Sequence, residues 1–136
     1  AYFYISNPYN GTSAQKEERA RVAAVVCGIL LKRGIHAWSP IVHNHAMMKV
    51  FDRFTLEERR STILEFDFTL LRSAKGMIVL TIDGWNSSHG VRAELDLCKK
   101  LSIPVHYLDP KELLEGKDPA LCMRPTPEKT EMQLMH

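Results

Sequence analysis

The residues whose types and spacing could do chemistry are concentrated in Ser87-Ser88-His89-Gly90-Val91-Arg92-Ala93-Glu94. Gly90 lets a backbone approach a ligand closely. Hydroxyls and unused N–H groups at the start of a following helix form an anion site. Glu94 lies about one helical turn beyond Gly90, so its carboxylate can point back into the same cavity. An anion pocket beside a carboxylate suits cleavage of a glycosidic bond, in which the carboxylate attacks or supports an oxocarbenium-like sugar carbon as the leaving group departs. The same residues also read as an ordinary serine cap followed by a solvated surface acid.

Other candidates lie upstream. Asp67 sits between Phe66 and Phe68. Flanking aromatics can bury a carboxyl and raise its pKa toward acid–base values, although helical periodicity equally allows an outward-facing Asp. The Tyr9 hydroxyl could orient a carboxylate, its ring could stack on a base, or it could be a surface tyrosine. Arg19 and Arg21 could reach a phosphate, but solvated helix-face arginines explain them as well. His43 and His45 alternate faces if extended, and no third ligand stands at a metal-binding spacing. No metal and no other cofactor is therefore expected, and the two histidines suit the rim of a pocket.

These residues need elements to position them. Tyr2-Phe3-Tyr4-Ile5 reads as a buried strand that stops at Ser6-Asn7-Pro8. Ser13 reads as an N-cap, with apolar Val22, Val25, Val26, Ile29 and Leu30 at helical spacing and Gly34 as the stop. Ile35 to Trp38 is a short strand, ended by Ser39-Pro40. Residues 41–55 show no clear period and are expected to be irregular. A helix is expected over residues 56–73. The apolar run from Gly76 to Ile82 has the pattern of a central parallel strand, and a loop, a helix through Leu101 and a strand at Ile103 to Tyr107 follow. A short helix begins at Asp109-Pro110. This alternation predicts a single-domain α/β fold, a flavodoxin- or Rossmann-like open parallel sheet with helices on both faces, over residues 1–116. Residues 117–136 are expected to form a Pro-rich polar tail.

In such sheets, ligands bind beyond the carboxyl ends of the strands. That rule selects Ser6, Asn7 and Gly11 from the first loop, His43 and His45 from the second, and Ser87, Ser88 and Gly90 from the third.

Bulk properties exclude several classes. The chain has 136 residues, 45% hydrophobic and 25% charged, with a formal net charge of +2, which gives no basic stripe for a nucleic-acid polymer. No apolar run approaches the roughly 20 residues needed to span a bilayer. Residues 1–5 lack a basic leader pattern, and three cysteines without metal-like spacing suit a reducing compartment. A cytoplasmic location is the expectation.

From Tyr2 to about Tyr107 the sequence resembles the nucleoside 2-deoxyribosyltransferase superfamily, which includes the 2-deoxynucleoside 5-phosphate N-hydrolases. Four features in order carry the resemblance: a strand and loop at Tyr4-Ile5-Ser6-Asn7-Pro8-Tyr9-Asn10-Gly11; a strand ending near Ser39-Pro40-Ile41; Asp67 in the helix before the run Met77 to Leu80; and Ser88-x-Gly90-x-x-x-Glu94, followed by a helix and Ile103-Pro104-Val105. The resemblance implies Glu94 as nucleophile, Asp67 as proton donor to the leaving base, and Tyr9 as the tyrosine that orients the nucleophile. Ser87 and Ser88 stand where the transferases tend to carry an acid, and so resemble the branch that binds a 5-phosphate. The His- and Met-rich segment from Ser39 to Arg53 is more similar to a branch found in bacteria and phages. Family members usually form homodimers or larger assemblies, and Met47, Met48 and Phe51 would suit either an interface or a lid.

The leading expectation is an N-glycosidase acting on a (deoxy)nucleoside 5-monophosphate. A nucleoside 2-deoxyribosyltransferase performing base exchange is the second. A nucleotide-binding or sensing module without turnover is the third, against which the presence of both Asp67 and Glu94 counts. Flavodoxin-like electron transfer is disfavoured because the first loop lacks a dense Ser/Thr/Gly cradle.

Overall fold

The computed structural model describes residues 1–127; the expectation for the end of the tail, residues 128–136, falls outside them. Four parallel strands form one sheet in the order β2-β1-β3-β4: β1 (Phe3–Ser6), β2 (Ala37–Trp38), β3 (Gly76–Leu80) and β4 (Val105–Leu108). β1 and β3 are in register from Phe3 opposite Gly76 to Ser6 opposite Val79. The chain leaves β1 toward β2 and leaves β3 toward β4. The order therefore reverses between β1 and β3, and their carboxyl ends flank the crevice where ligands bind in such sheets.

Side chains alternate across the sheet. Ile5, Ile78 and Leu80 join Ala23, Val26 and Leu30 of α1 (Ser13–Lys32), Leu113 of α6 (Pro110–Leu114) and Cys122 of α7 (Pro119–Cys122) in one core. Tyr4, Met77 and Val79 face the other way. They pack with Leu71 of α4 (Thr62–Arg72), with Trp85 of the short 3-10 turn Trp85–Ser87, and with Val91 and Cys98 of α5 (His89–Leu101). Helices thus cover both faces, as the α/β alternation predicts.

Several local expectations change. The cap of α1 is Thr12, not Ser13: its hydroxyl accepts the Gln15 N–H while Gln15 reaches back to the Thr12 N–H. Gly34, at φ 78, is the left-handed residue just past the end, and Ile35 N–H closes on Leu30 C=O at 2.9 Å. The segment expected to be irregular is largely a helix, α2 (Pro40–Val50), started by a Ser39 cap on the Val42 N–H and by Pro40 in the first turn. The single helix expected over residues 56–73 is two, α3 (Leu56–Arg60) and α4, parted at Ser61, whose hydroxyl bonds the Glu57 carbonyl at 2.8 Å. Past residue 116, residues 119–124 pack on the body. Pro119 and Cys122 are buried, and Arg124 exchanges both backbone hydrogen bonds with Tyr107 (2.7 and 2.9 Å). Among the described residues no helix is long and apolar enough to cross a membrane.

Candidate active site

The buried polar residues reveal what the fold was built to hold. Among the described residues these are Ser6, Asn7, Ser39, Glu94 and Glu112. Glu112 belongs to the far core, where Arg124 grips it at 2.7 and 3.0 Å. Ser6, Asn7 and Ser39 lie at or just beyond strand ends, and Glu94 reaches Ser6 from α5. Such burial costs free energy unless each group is hydrogen-bonded.

Glu94 is bonded on both oxygens. Ser6 donates to Oε1 at 2.8 Å and the Tyr4 hydroxyl donates to Oε2. Tyr4 and Ser6 sit two apart on β1, so both hydroxyls emerge on one side of the strand. Burial pushes the Glu94 carboxyl up to about 7, against the pull of the Tyr4 and Ser6 bonds, which favour the ionised form; nearby Asp67 adds to the rise. The Tyr4 phenol is raised by its own burial and by the Glu94 charge, so it stays a proton donor.

Glu94 forms part of the wall of a cavity of about 440 Å³, within the range of small-molecule sites. Asp67 on α4 lines the same cavity. Its carboxyl is raised to about 6 by burial, opposed by an Asn44 amide that donates to Oδ1 at 2.9 Å and by the neighbouring His43. His43 in turn bonds the Asn44 oxygen at 3.0 Å. Ile41 and Met48 of α2 and Ile63 and Leu64 of α4 supply an apolar stretch beside Asp67. Ser88 and Gly90 also line the cavity, and Ser88 caps α5 by accepting the Val91 N–H at 3.3 Å. The first N–H groups of that helix have no intrahelical partner.

The structure brings Glu94, Asp67, Tyr9, Asn7, Ser88, Gly90 and His45 to this one cavity, with Ser6 immediately behind Glu94. Gly11, Ser87 and His43 do not line it. Ser87 bonds the Gly84 carbonyl at 3.3 Å, and His43 packs on Trp38 and Phe66. Arg19 donates to the Asn10 carbonyl and Arg21 pairs with Glu18 at 2.6 Å, so neither faces the cavity. The expectation that Tyr9 bonds Glu94 is not met: the hydroxyl on Glu94 is that of Tyr4, whereas the Tyr9 hydroxyl bonds His45 at 2.7 Å. Met48 faces the cavity while Phe51 is exposed, edge-on to Phe54. Sequence reasoning missed Tyr4, which looked like core, and Asn44. The two-residue spacing of Tyr4 and Ser6 before a loop was the available signal. Among the described residues no three His, Cys, Asp or Glu side chains converge as a metal site.

Residues 1–109 match the family model described as a domain of unknown function, DUF1937. The chain belongs to that family. The DUF1937 fold is similar to the solved structure of the 2-deoxyribosyltransferase of Bacillus psychrosaccharolyticus, presented as a biocatalyst for nucleoside synthesis. The two share 17% identity with a TM-score of 0.61, and the match covers 93% of this chain and 100% of that one. The superfamily resemblance read from the sequence is thereby met at the level of the fold. No curated protein matches the chain.

Proposed function

We propose that this DUF1937 chain is an N-glycosidase that cleaves the base–sugar bond of a (deoxy)nucleoside 5-monophosphate, with Glu94 as nucleophile and Asp67 as acid. The observation that carries the reading is a buried carboxylate held by two hydroxyl donors, with a second raised carboxyl in the same cavity. A Glu94 oxygen bonds to the anomeric carbon as the carbon–nitrogen bond breaks. The bonding pair leaves on the base nitrogen, which takes the Asp67 proton. Water then attacks the same carbon, its proton passes to Asp67, and Glu94 departs as carboxylate. Tyr4 and Ser6 favour the ionised form of Glu94 and aim it. Ser88, Gly90 and the α5 N-terminus suit the 5-phosphate, since hydroxyls and free N–H groups donate to an anion.

Base exchange by a 2-deoxyribosyltransferase is the second reading, favoured by the fold likeness. Chromatography of nucleosides and their 5-monophosphates, with and without a second free base, separates the two. Free base from monophosphates, abolished in Glu94→Ala, is expected. Base exchange on unphosphorylated nucleosides would replace hydrolase by transferase. Intact recovery of every substrate would leave a nucleotide-binding module as the better account.

A further inference from the structure

A second polar chain touches the same cavity and takes no part in the chemistry above. The Tyr9 hydroxyl meets His45 Nδ1 at 2.7 Å, and His45 Nε2 meets Glu17 Oε2 at 2.6 Å. Lys49 donates to the other Glu17 oxygen at 2.7 Å. Tyr9, His45 and Lys49 line the cavity, and Glu17 anchors them from α1. With His45 neutral, the bonds fix a direction. An ionised carboxylate only accepts, so Nε2 carries a proton. In the neutral ring Nδ1 is then an acceptor, and the Tyr9 O–H must donate to it. Burial and the Glu17 charge both raise the Tyr9 phenol, which keeps that proton in place. With its only hydrogen committed, the Tyr9 oxygen offers lone pairs alone to whatever occupies the cavity.

What lies opposite follows from the glycosidase reading, on which this inference rests. Asp67 protonates the departing base, so the base occupies the apolar stretch between α2 and α4, on which His45 also sits. We propose that Tyr9 determines base specificity: it presents a hydrogen-bond acceptor to the base edge and so favours bases carrying an amino group over their keto counterparts. His45 is a positioning residue, acting through Tyr9. A keto group there would set two acceptors against each other in a partly buried site, a mismatch that discriminates more strongly than a lost apolar contact.

Calorimetric binding of free bases tests this without turnover. The probes are adenine against hypoxanthine and cytosine against uracil, on the wild-type chain, Tyr9→Phe and His45→Leu. Wild type is expected to bind the amino member about 10-fold more tightly. Tyr9→Phe, close in shape, should bring the pairs within about 2-fold. His45→Leu frees the Tyr9 hydroxyl to donate, so keto bases should gain while amino bases hold or lose. A merely structural His45 would weaken both alike. Equal binding in wild type, no binding of any base, or a preference that survives Tyr9→Phe overturns the assignment. Amino-selective binding without cleavage of any nucleotide would keep the assignment and remove the glycosidase. Cleavage of amino and keto nucleotides alike would do the reverse.

Discussion

Replacing Glu94 by Gln is expected to make the protein more stable above neutral pH while abolishing turnover. Burial lifts this carboxyl from 4.5 to about 7. Each tenfold change in proton affinity is worth about 1.4 kcal/mol, so the ionised group holds the folded state back by about 3 kcal/mol. The sign follows from which state binds the proton better. Below pH 4.5 the carboxyl is protonated, folded or unfolded, and its contribution is fully present. Between 4.5 and about 7 the unfolded chain ionises first, and stability drains away. Above 7 both states are ionised and the loss is complete. Gln has the same shape and no charge to desolvate, so it escapes that decline. Urea denaturation from pH 4.5 to 8.5 reads the difference. With a slope near 2 kcal/mol per molar, the wild-type midpoint should fall by about 1.5 M relative to Glu94→Gln. A difference curve that is flat, or that rises with pH, would refute the claim that desolvation outweighs the Tyr4 and Ser6 bonds.

The partners of the two carboxyls should each move one limb of the pH–rate profile for base release. Glu94, at about 7, lies above Asp67, at about 6, so the form with Glu94 ionised and Asp67 protonated is the minor one; Tyr4→Phe removes a bond to ionised Glu94, so kcat/KM should fall about 10-fold near pH 6 while the alkaline limb shifts to higher pH. Asn44→Ala removes the donor to ionised Asp67, so Asp67 stays protonated longer, more of the protein holds the active form, and it is mainly the acidic limb that should move up. Gly90→Val places a side chain where only Ser88 Oγ stands within 4 Å, at 3.9 Å; KM for the monophosphate should rise about 10-fold or more while the urea midpoint changes little. Ending the chain at Gly116 strips Arg124 from buried Glu112 and α7 from the core. That should cost about 3–5 kcal/mol in urea unfolding, and a truncated chain of unchanged stability would show the segment to be an appendage.

What could be read in the sequence was whatever obeyed a simple period. Val22 to Leu30 and Met77 to Leu80 bury one face or both, and their strand and helix assignments follow. The spacing of Ser88, Gly90 and Glu94 survives folding because one helix carries it. α2 escaped because its inward face is half polar: Asn44 and His45 point at the cavity beside Ile41 and Met48, so the binding surface itself erases the apolar stripe. Tyr4 escaped for the opposite reason. Its ring does pack in the core, and only its last atom, the hydroxyl, reaches Glu94. The exchange of Tyr9 for Tyr4 is a confusion between two tyrosines five residues apart, which only the strand's register resolves.

The backbone pairing of Arg124 with Tyr107 bears on how copies of this chain can meet. A parallel sheet ends in rows of unmet N–H and C=O groups that any extended chain can join. Here Tyr107 on β4 is already matched by Arg124, and the opposite margin, β2, is only two residues long. Among the described residues both margins are thus poorer templates for ribbon growth than a long bare strand. Among the described residues the exposed apolar side chains Val50, Phe51 and Leu56, at the end of α2 and the start of α3, suit a meeting of faces better than the extension of a sheet.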